Sequence, residues 1–149
     1  MPMSQYQEAA ILNQMFNQTS YTPPTTIYLG LSSQGVSGAT DATLLSGEPT
    51  TAGSYARVAI TNNATNFPNA TSSTPALKNL ATTATFNAST GSGWTYTGSN
   101  LVTFMFCDAS TVQGGHVIWY GSLSPSTTTV TASGITLSFA GNAIQISLL

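Results

Sequence analysis

Short runs in which apolar and polar residues alternate constrain the fold of this chain more than any other feature of its sequence. In the run from Ile27 to Leu31, every second residue is a large aliphatic one, which is typical of a strand with one buried face. Further runs, some alternating and some apolar throughout, predict strands over residues 55–61, 82–86, 101–107, 116–120, 128–131, 135–139 and 143–148. Because Gly, Ser and Asn separate these runs, we expect an all-β fold of about eight short strands, arranged as one β-sandwich or jelly-roll domain over residues 1–149.

Two of these runs carry a more detailed prediction. Residues 101–107 are apolar at almost every position, which indicates a central strand that is covered on both faces. A Gly-Asn pair separates the runs 135–139 and 143–148, and such a pair between alternating segments favours a tight turn. We therefore expect these last two runs to form a β-hairpin.

The N-terminus carries the one clear helix signal. Ser4 and Gln7 have the spacing of a capping box. Asn17 and the prolines that follow it from Pro23 end the pattern, so we expect a helix over about residues 4–17, packed on the edge or end of a sheet. The apolar residues of this segment recur at helical spacing: Tyr6, Ala9, Ala10, Leu12, Met15 and Phe16.

Charged residues make up only 4% of the chain, with two basic and four acidic side chains. Two cations cannot neutralise a run of phosphates, which argues against a nucleic-acid partner, and the same shortage argues against an anionic membrane surface. No apolar run approaches the ~20 residues that cross a bilayer. One His, one Cys and scattered carboxylates do not supply the clustered ligands of a metal site, so we expect no metal and no cofactor.

Catalytic chemistry finds little support in the sequence. Cys107, Asp108 and His116 could be interpreted as a nucleophile, an orienting acid and a base, but their proximity is already expected if 101–107 and 116–120 are neighbouring strands. The four carboxylates are spread over the predicted helix and loops, whereas glycoside hydrolysis needs a pair of acids in one cleft. We therefore predict no catalytic residues and no enzyme activity.

The most informative local pattern is the segment from Glu48 to Arg57. With so few other charges in the chain, these two side chains are natural partners, and an Arg side chain can hold a carboxylate through two parallel hydrogen bonds. We expect such a pair to clamp the long loop before it to the strand that follows. The alternative is that Arg57 contacts a ligand or another subunit.

Two long segments, residues 33–54 and 62–76, are rich in small polar residues and are interpreted as irregular loops that serve as contact arms. Aromatic residues in polar surroundings are the other candidates for contact: Phe67 in the second segment, and Trp94 and Tyr96 further along. They could stack on a sugar or bind a partner protein, but the favoured interpretation is that they anchor loops to the core or to a neighbouring subunit.

A series of motifs runs in a fixed order along nearly the whole chain. The motifs are Ala9-Ala10-Ile11-Leu12-Asn13-Gln14-Met15-Phe16, Tyr21-Thr22-Pro23-Pro24, Ile27-Tyr28-Leu29-Gly30-Leu31-Ser32, Gly47-Glu48-Pro49, Gly53-Ser54-Tyr55-Ala56-Arg57-Val58, Phe104-x-Phe106-x-Asp108-Ala109-Ser110 and Trp119-Tyr120-Gly121-Ser122-Leu123. In this order they resemble small virion proteins of tailed bacteriophages, which are often labelled tail fibre proteins and some of which resemble capsid cement, or decoration, proteins. The resemblance implies a structural particle protein without catalytic residues, in which Glu48, Tyr55 and Arg57 match the pattern and have a structural role.

Two functions follow as hypotheses. The first is a capsid cement protein, made in the host cytoplasm and located on the outer capsid surface of the virion. Its partners would be the major capsid protein and further copies of itself, with a trimer favoured. The alternative is a tail-associated fibre or tip module that recognises a host-surface glycan through residues such as Trp94 and Tyr96. A cell-wall hydrolase is a third reading, but no set of residues supports it.

Overall fold

The computed structural model describes residues 3–16, 18–70, 76–126 and 128–148. In this part of the chain strands predominate, accompanied by two α-helices and one 3-10 turn, Ala52–Ser54. Within these ranges, no helix has both the length and the apolar character needed to cross a membrane. The helices and strands, in chain order, are α1 (Gln5–Met15), β1 (Thr26–Ser32), α2 (Asp41–Ser46), β2 (Val58–Thr61), β3 (Ala76–Asn79), β4 (Ala84–Thr85), β5 (Thr103–Cys107), β6 (Val117–Ser122), β7 (Ser138–Phe139) and β8 (Gln145–Leu148).

Every strand pair among the described residues is antiparallel. Four strands form the main sheet in the order β2-β1-β5-β6, while β3 pairs with β8 and β4 pairs with β7. This pairing confirms the predicted all-β class with an N-terminal helix. The assignment to a β-sandwich or jelly roll, and the single-domain organisation, stay predictions.

The central strand β5 separates two hydrophobic clusters. Its side chains are buried along its whole length, and they alternate between the two faces of the sheet. Phe104 and Phe106 belong to the larger cluster, together with Leu29 and Leu31 of β1. The smaller cluster, on the other face, contains Met105, Cys107, Val117, Tyr120 and Leu44 of α2. The structure thus confirms that residues 101–107 provide a central strand covered on both sides.

The N-terminal helix is confirmed, with bounds close to those predicted. The Ser4 hydroxyl accepts a hydrogen bond from the backbone N–H of Gln7 at 3.2 Å, as expected of an N-cap residue. The backbone N–H of Ser4 also donates to the carbonyl of Ile118 in β6 at 3.1 Å, which ties the start of α1 to the main sheet. Asn17, the expected end of the helix, lies outside the described residues.

Other sequence predictions need correction. The hairpin prediction was wrong, because β7 pairs with β4 and β8 with β3. Asn142 does adopt the left-handed conformation of a turn, but its N–H donates to the carbonyl of Leu80, which steers the chain toward β3. No strand forms over 128–131, where Thr128 makes only an isolated bridge to Leu101.

The two segments predicted to be irregular are more ordered than expected. Segment 33–54 contains α2, whose N-cap residue Thr40 makes a capping box with Thr43. Part of segment 62–76, residues 71–75, lies outside the described residues, and its last residue begins β3. Both segments are therefore tied to the sheets, at least where the structure describes them.

Candidate functional site

A buried ion pair lies at one edge of the main sheet. Glu48 is the second residue after α2 and Arg57 immediately precedes β2, so the fold brings together two residues that are separated by a loop and a 3-10 turn. The guanidinium donates from Nε to Oε1 and from Nη2 to Oε2 of the carboxylate, both at 2.7 Å. Both side chains are fully buried where they meet. The geometry is the bidentate one in which Arg and a carboxylate bind most strongly.

Tyr55 links the ion pair to strand β1. Its hydroxyl donates to Oε1 of Glu48 at 2.9 Å and accepts the backbone N–H of Leu31 at 3.0 Å. Strand β2 pairs with β1 only as far as Leu29, so the tyrosine hydroxyl takes over as the acceptor beyond the end of that ladder. Burial, followed by the nearby Glu48 carboxylate, raises the pKa of Tyr55 well above its ordinary value.

A loop between β5 and β6 closes the other side. Arg57 donates from Nη1 to the carbonyls of Ala109 and Gly114, at 2.7 and 3.0 Å. Gln113 donates its backbone N–H to Oε2 of Glu48, and its side-chain amide donates to the backbone carbonyl of Glu48 at 2.8 Å. We call Glu48, Tyr55, Arg57 and Gln113 the Glu48 cluster.

The Glu48 carboxylate accepts four hydrogen bonds, from Tyr55, Gln113 and two nitrogens of Arg57. Four is about the number of lone-pair sites that a carboxylate offers. The cluster therefore has no free acceptor on this carboxylate with which to bind a ligand. What it can do is hold the α2 loop, the start of β2 and the β5–β6 loop in fixed positions.

The Cys107, Asp108 and His116 triplet is not arranged for nucleophilic catalysis. His116 Nδ1 lies 2.9 Å from Asp108 Oδ2 in a partly exposed pair, and the ring of Tyr6 stacks on the imidazole with 3.9 Å between centroids. Cys107 is fully buried, and burial raises the pKa of its thiol to about 12. The thiol is therefore protonated at neutral pH, whereas a nucleophilic cysteine needs the thiolate.

The candidate contact aromatics pack in or against the core, which agrees with the anchoring interpretation and corrects their assignment as partner or glycan contacts. Trp94 is 5% exposed and Phe67 is 4% exposed, and Tyr96 packs against the same cluster. The Trp94 ring meets Tyr55 edge-on with 5.0 Å between centroids. These side chains anchor their segments, because their apolar area is worth more in the core than in water.

No group of three or more His, Cys, Asp or Glu side chains that could hold a metal ion occurs among the described residues. Lys78 and Arg57 are the two basic side chains of the chain, and Arg57 is already paired within the Glu48 cluster. Neither a metal nor an anionic cofactor therefore has a recognisable site in the cluster.

Helix α1 presents an apolar surface that the sequence did not reveal. Leu12 is 53% exposed, and Met15 and the C-cap residue Phe16 are each 72% exposed. They lie three and four residues apart, so they share one side of the helix. We call these three residues the α1 apolar face. The helical spacing was visible in the sequence, but periodicity alone does not show which side of a helix is covered.

Beneath the opposite side of α1 lies a cavity of about 200 Å³. We call it the α1 cavity. Sequence reasoning missed it, because its walls come from segments that are far apart in the chain. They are Gln7, Tyr21, Pro23, Pro24, Ile27, Asn62, Phe67, Lys78, Phe106, Ile118, Trp119 and Ile146.

The antiparallel all-β fold and the saturated Glu48 cluster define a β-protein whose buried polar groups hold three segments in place. Comparison with known families specifies this class. Residues 2–147 match the family described as "Podophage GP4 fiber I protein gp80", so the chain belongs to that family. A search of curated proteins found no match. The resemblance to small virion proteins of tailed phages is thereby confirmed.

Proposed function

We propose that this chain is a non-enzymatic structural subunit of a phage tail fibre that contacts the host surface. The observation that carries the proposal is the family match over residues 2–147, since the family description names a podophage fibre protein. This match supports the tail-fibre hypothesis better than the capsid cement hypothesis. A virion location follows from the family, whereas the outer capsid surface stays a prediction.

The geometry agrees with a role in which the protein holds its shape and binds. The Glu48 cluster uses its polar groups internally, and Cys107 is buried with a raised pKa. By contrast, the α1 apolar face is exposed, and exposed apolar patches mark interaction surfaces more often than chance. The subunit thus combines an interior held by hydrogen bonds with an exposed apolar face on α1 that can bind a partner.

Partners are part of the proposal. We propose self-association, with a trimer favoured, and the α1 apolar face as the surface that a second copy covers. Helix α1 has no basic residue, and its one acidic residue, Glu8, is exposed one turn before Leu12, so the contact between two copies must leave this carboxylate in water. The predicted β-sandwich or jelly roll belongs to the same proposal. Binding to the major capsid protein belongs only to the cement hypothesis.

The test is the location and copy number of this protein in purified virions. Quantitative mass spectrometry should give a copy number of a few per cent or less of the major capsid protein, and gold-labelled antibody should decorate the tail. A copy number close to that of the major capsid protein, with the antibody label on the head, would instead support the capsid cement hypothesis. Absence from washed particles would contradict both.

A further inference from the structure

The α1 cavity has the make-up of a small binding site. Its walls are mainly apolar, from residues such as Pro23, Phe106 and Trp119, with a few polar groups among them. Small-molecule sites share this composition, in which apolar walls provide contact and a few polar groups fix orientation. A volume of about 200 Å³ is below that of sites for drug-sized ligands, so the cavity suits a single ring rather than a long chain.

Gln7 gives this cavity an acceptor that lacks a donor. The side chain is 4% exposed and lines the cavity. Its Oε1 atom has no hydrogen-bond partner among the described residues. A buried carbonyl oxygen without a partner is costly, by about 1–3 kcal/mol, so such groups point to a role beyond packing. A hydroxyl group of a ligand would supply the missing donor.

Lys78 gives the cavity its charge. It is the one charged residue among the described lining residues, and it forms no ion pair with any residue that the structure describes. It is also half-buried in the middle of β3, opposite Ile146, so its position is fixed by a strand. An ammonium group in these surroundings favours a negatively charged ligand group.

We propose that the α1 cavity binds an acidic sugar residue, such as a hexuronic acid, of a host-surface polysaccharide. The carboxylate pairs with Lys78, a ring hydroxyl donates to Gln7 Oε1, and the carbon face of the ring packs on the wall that includes Trp119. A fatty acid fits less well, because its carboxylate has no hydroxyl donor for Gln7 and its chain exceeds the cavity. The inference rests on the proposed function and names the chemistry of the contact.

The test uses the purified full-length protein and two pairs of probes. The methyl glycosides of glucuronic and galacturonic acid are compared with methyl glucoside and methyl galactoside, which lack only the carboxylate. Binding is followed by two-dimensional amide NMR. We expect the acidic sugars to shift the signals of Ile118 and Trp119 and to bind at least tenfold more tightly than the neutral ones.

Two variants of Lys78 separate charge from fold. Lys78→Met keeps the apolar stem but removes the ammonium, and should weaken binding of the acidic sugars at least tenfold. Lys78→Arg keeps the charge and should restore most of the affinity. Amide spectra of both variants report whether each is folded. Equal binding of acidic and neutral sugars, no binding of any probe, or full affinity in Lys78→Met would each overturn the proposal.

The sugar-binding test and the test of virion location can fail independently of each other. If no sugar binds but the protein is found on the tail in small copy number, the inference fails and the fibre role stands. If acidic sugars bind but the protein lies on the head in numbers matching the major capsid protein, the fibre role fails and the cavity remains a sugar site.

Discussion

The Glu48 cluster and the α1 apolar face invert the usual distribution of polar and apolar groups. In the cluster, the side chains of Glu48 and Arg57 are both 0% exposed and are buried at the edge of the main sheet. On α1, Leu12, Met15 and Phe16 face solvent. Charged residues are ordinarily almost never fully buried unless they are paired, and large apolar residues usually seek the core.

This difference separates two tasks within one small chain. Three segments meet at the Glu48 cluster, and hydrogen bonds with fixed directions set their relative positions in a way that non-directional apolar contacts cannot. Helix α1 meets the sheet mainly through Ser4, Gln7 and the stacked rings of Tyr6 and His116. Its apolar side is therefore available to another molecule. Four predictions test this division between a stabilising interior and a binding exterior.

The largest effect is expected from Glu48→Gln. The substitution removes the negative charge that balances Arg57, and it replaces one carboxylate oxygen, which accepts two hydrogen bonds, by an NH2 group that can only donate. Breaking a buried ion pair in this way costs about 3–5 kcal/mol. Urea denaturation of both proteins measures the change in the free energy of unfolding. The matched control is Glu8→Gln, an exposed acid in the first turn of α1, for which we expect a loss below about 1 kcal/mol. Equal losses in the two variants would refute the structural role of the cluster.

A smaller loss is expected from Gly30→Ala in β1. A Cβ atom at this position would lie 2.9 Å from Glu48 Oε1 and 3.1 Å from Met105 Cε, so the cluster or the core must shift. Overpacking of this kind costs about 1–3 kcal/mol. Gly35→Ala is the matched control, since nothing lies within 4 Å of a Cβ atom there and its φ is not positive. Thermal unfolding of both variants checks the difference, and a stable Gly30→Ala protein would show that the cluster tolerates displacement.

The sequence predicts the class of the fold because its signals are local. The alternation around Leu29 and the apolar run that contains Phe106 depend only on which faces of a strand are covered. The attraction between Glu48 and Arg57 was also visible, because so few other charges compete for either partner. Tyr55 was also placed with this pair, through the resemblance to the virion proteins. In contrast, the hydrogen bonds from Gln113 could not be anticipated, since they depend on how a distant loop folds against the sheet.

The sequence predictions that were wrong share one physical cause, which is that contacts between distant segments override local signals. The Gly-Asn turn at 141–142 forms locally, but its two flanking runs pair with β4 and β3 instead of each other. Trp94 lies in a polar stretch of sequence, yet Tyr55 and Phe86 surround its ring in the core. Neither outcome is encoded in the neighbouring residues. The α1 cavity is the extreme case, because its walls come from several separate segments.

A third prediction concerns the response of the interior to alkaline pH. The Cys107 thiol has its pKa raised from 9.0 to about 12 in the folded protein, so between these values the unfolded chain binds fewer protons than the folded one. The free energy of unfolding should therefore fall as pH rises above 9, by up to about 1.4 kcal/mol per pH unit from this group. The raised pKa of Tyr55 acts in the same direction above pH 10.

Urea denaturation at pH 8, 9 and 10 tests this linkage. Cys107→Ala lowers stability at every pH because it removes buried volume, but its free energy of unfolding should fall less steeply between pH 9 and 10 than that of the unmodified protein. A slope that is identical in the two proteins would mean that the thiol ionises as readily in the folded state as in the unfolded one.

The smallest effect on stability is expected on the α1 apolar face, where the effect on assembly should be largest. The double variant Leu12→Gln, Phe16→Gln replaces side chains that are 53% and 72% exposed, so the free energy of unfolding should change by no more than about 0.5 kcal/mol. Sedimentation velocity should show that the variant no longer self-associates, while Gln14→Ala, a change at an exposed polar site on the same helix, leaves association intact. Loss of stability comparable to that of Gly30→Ala would place these residues in the core, and unchanged association would move the contact between copies away from α1.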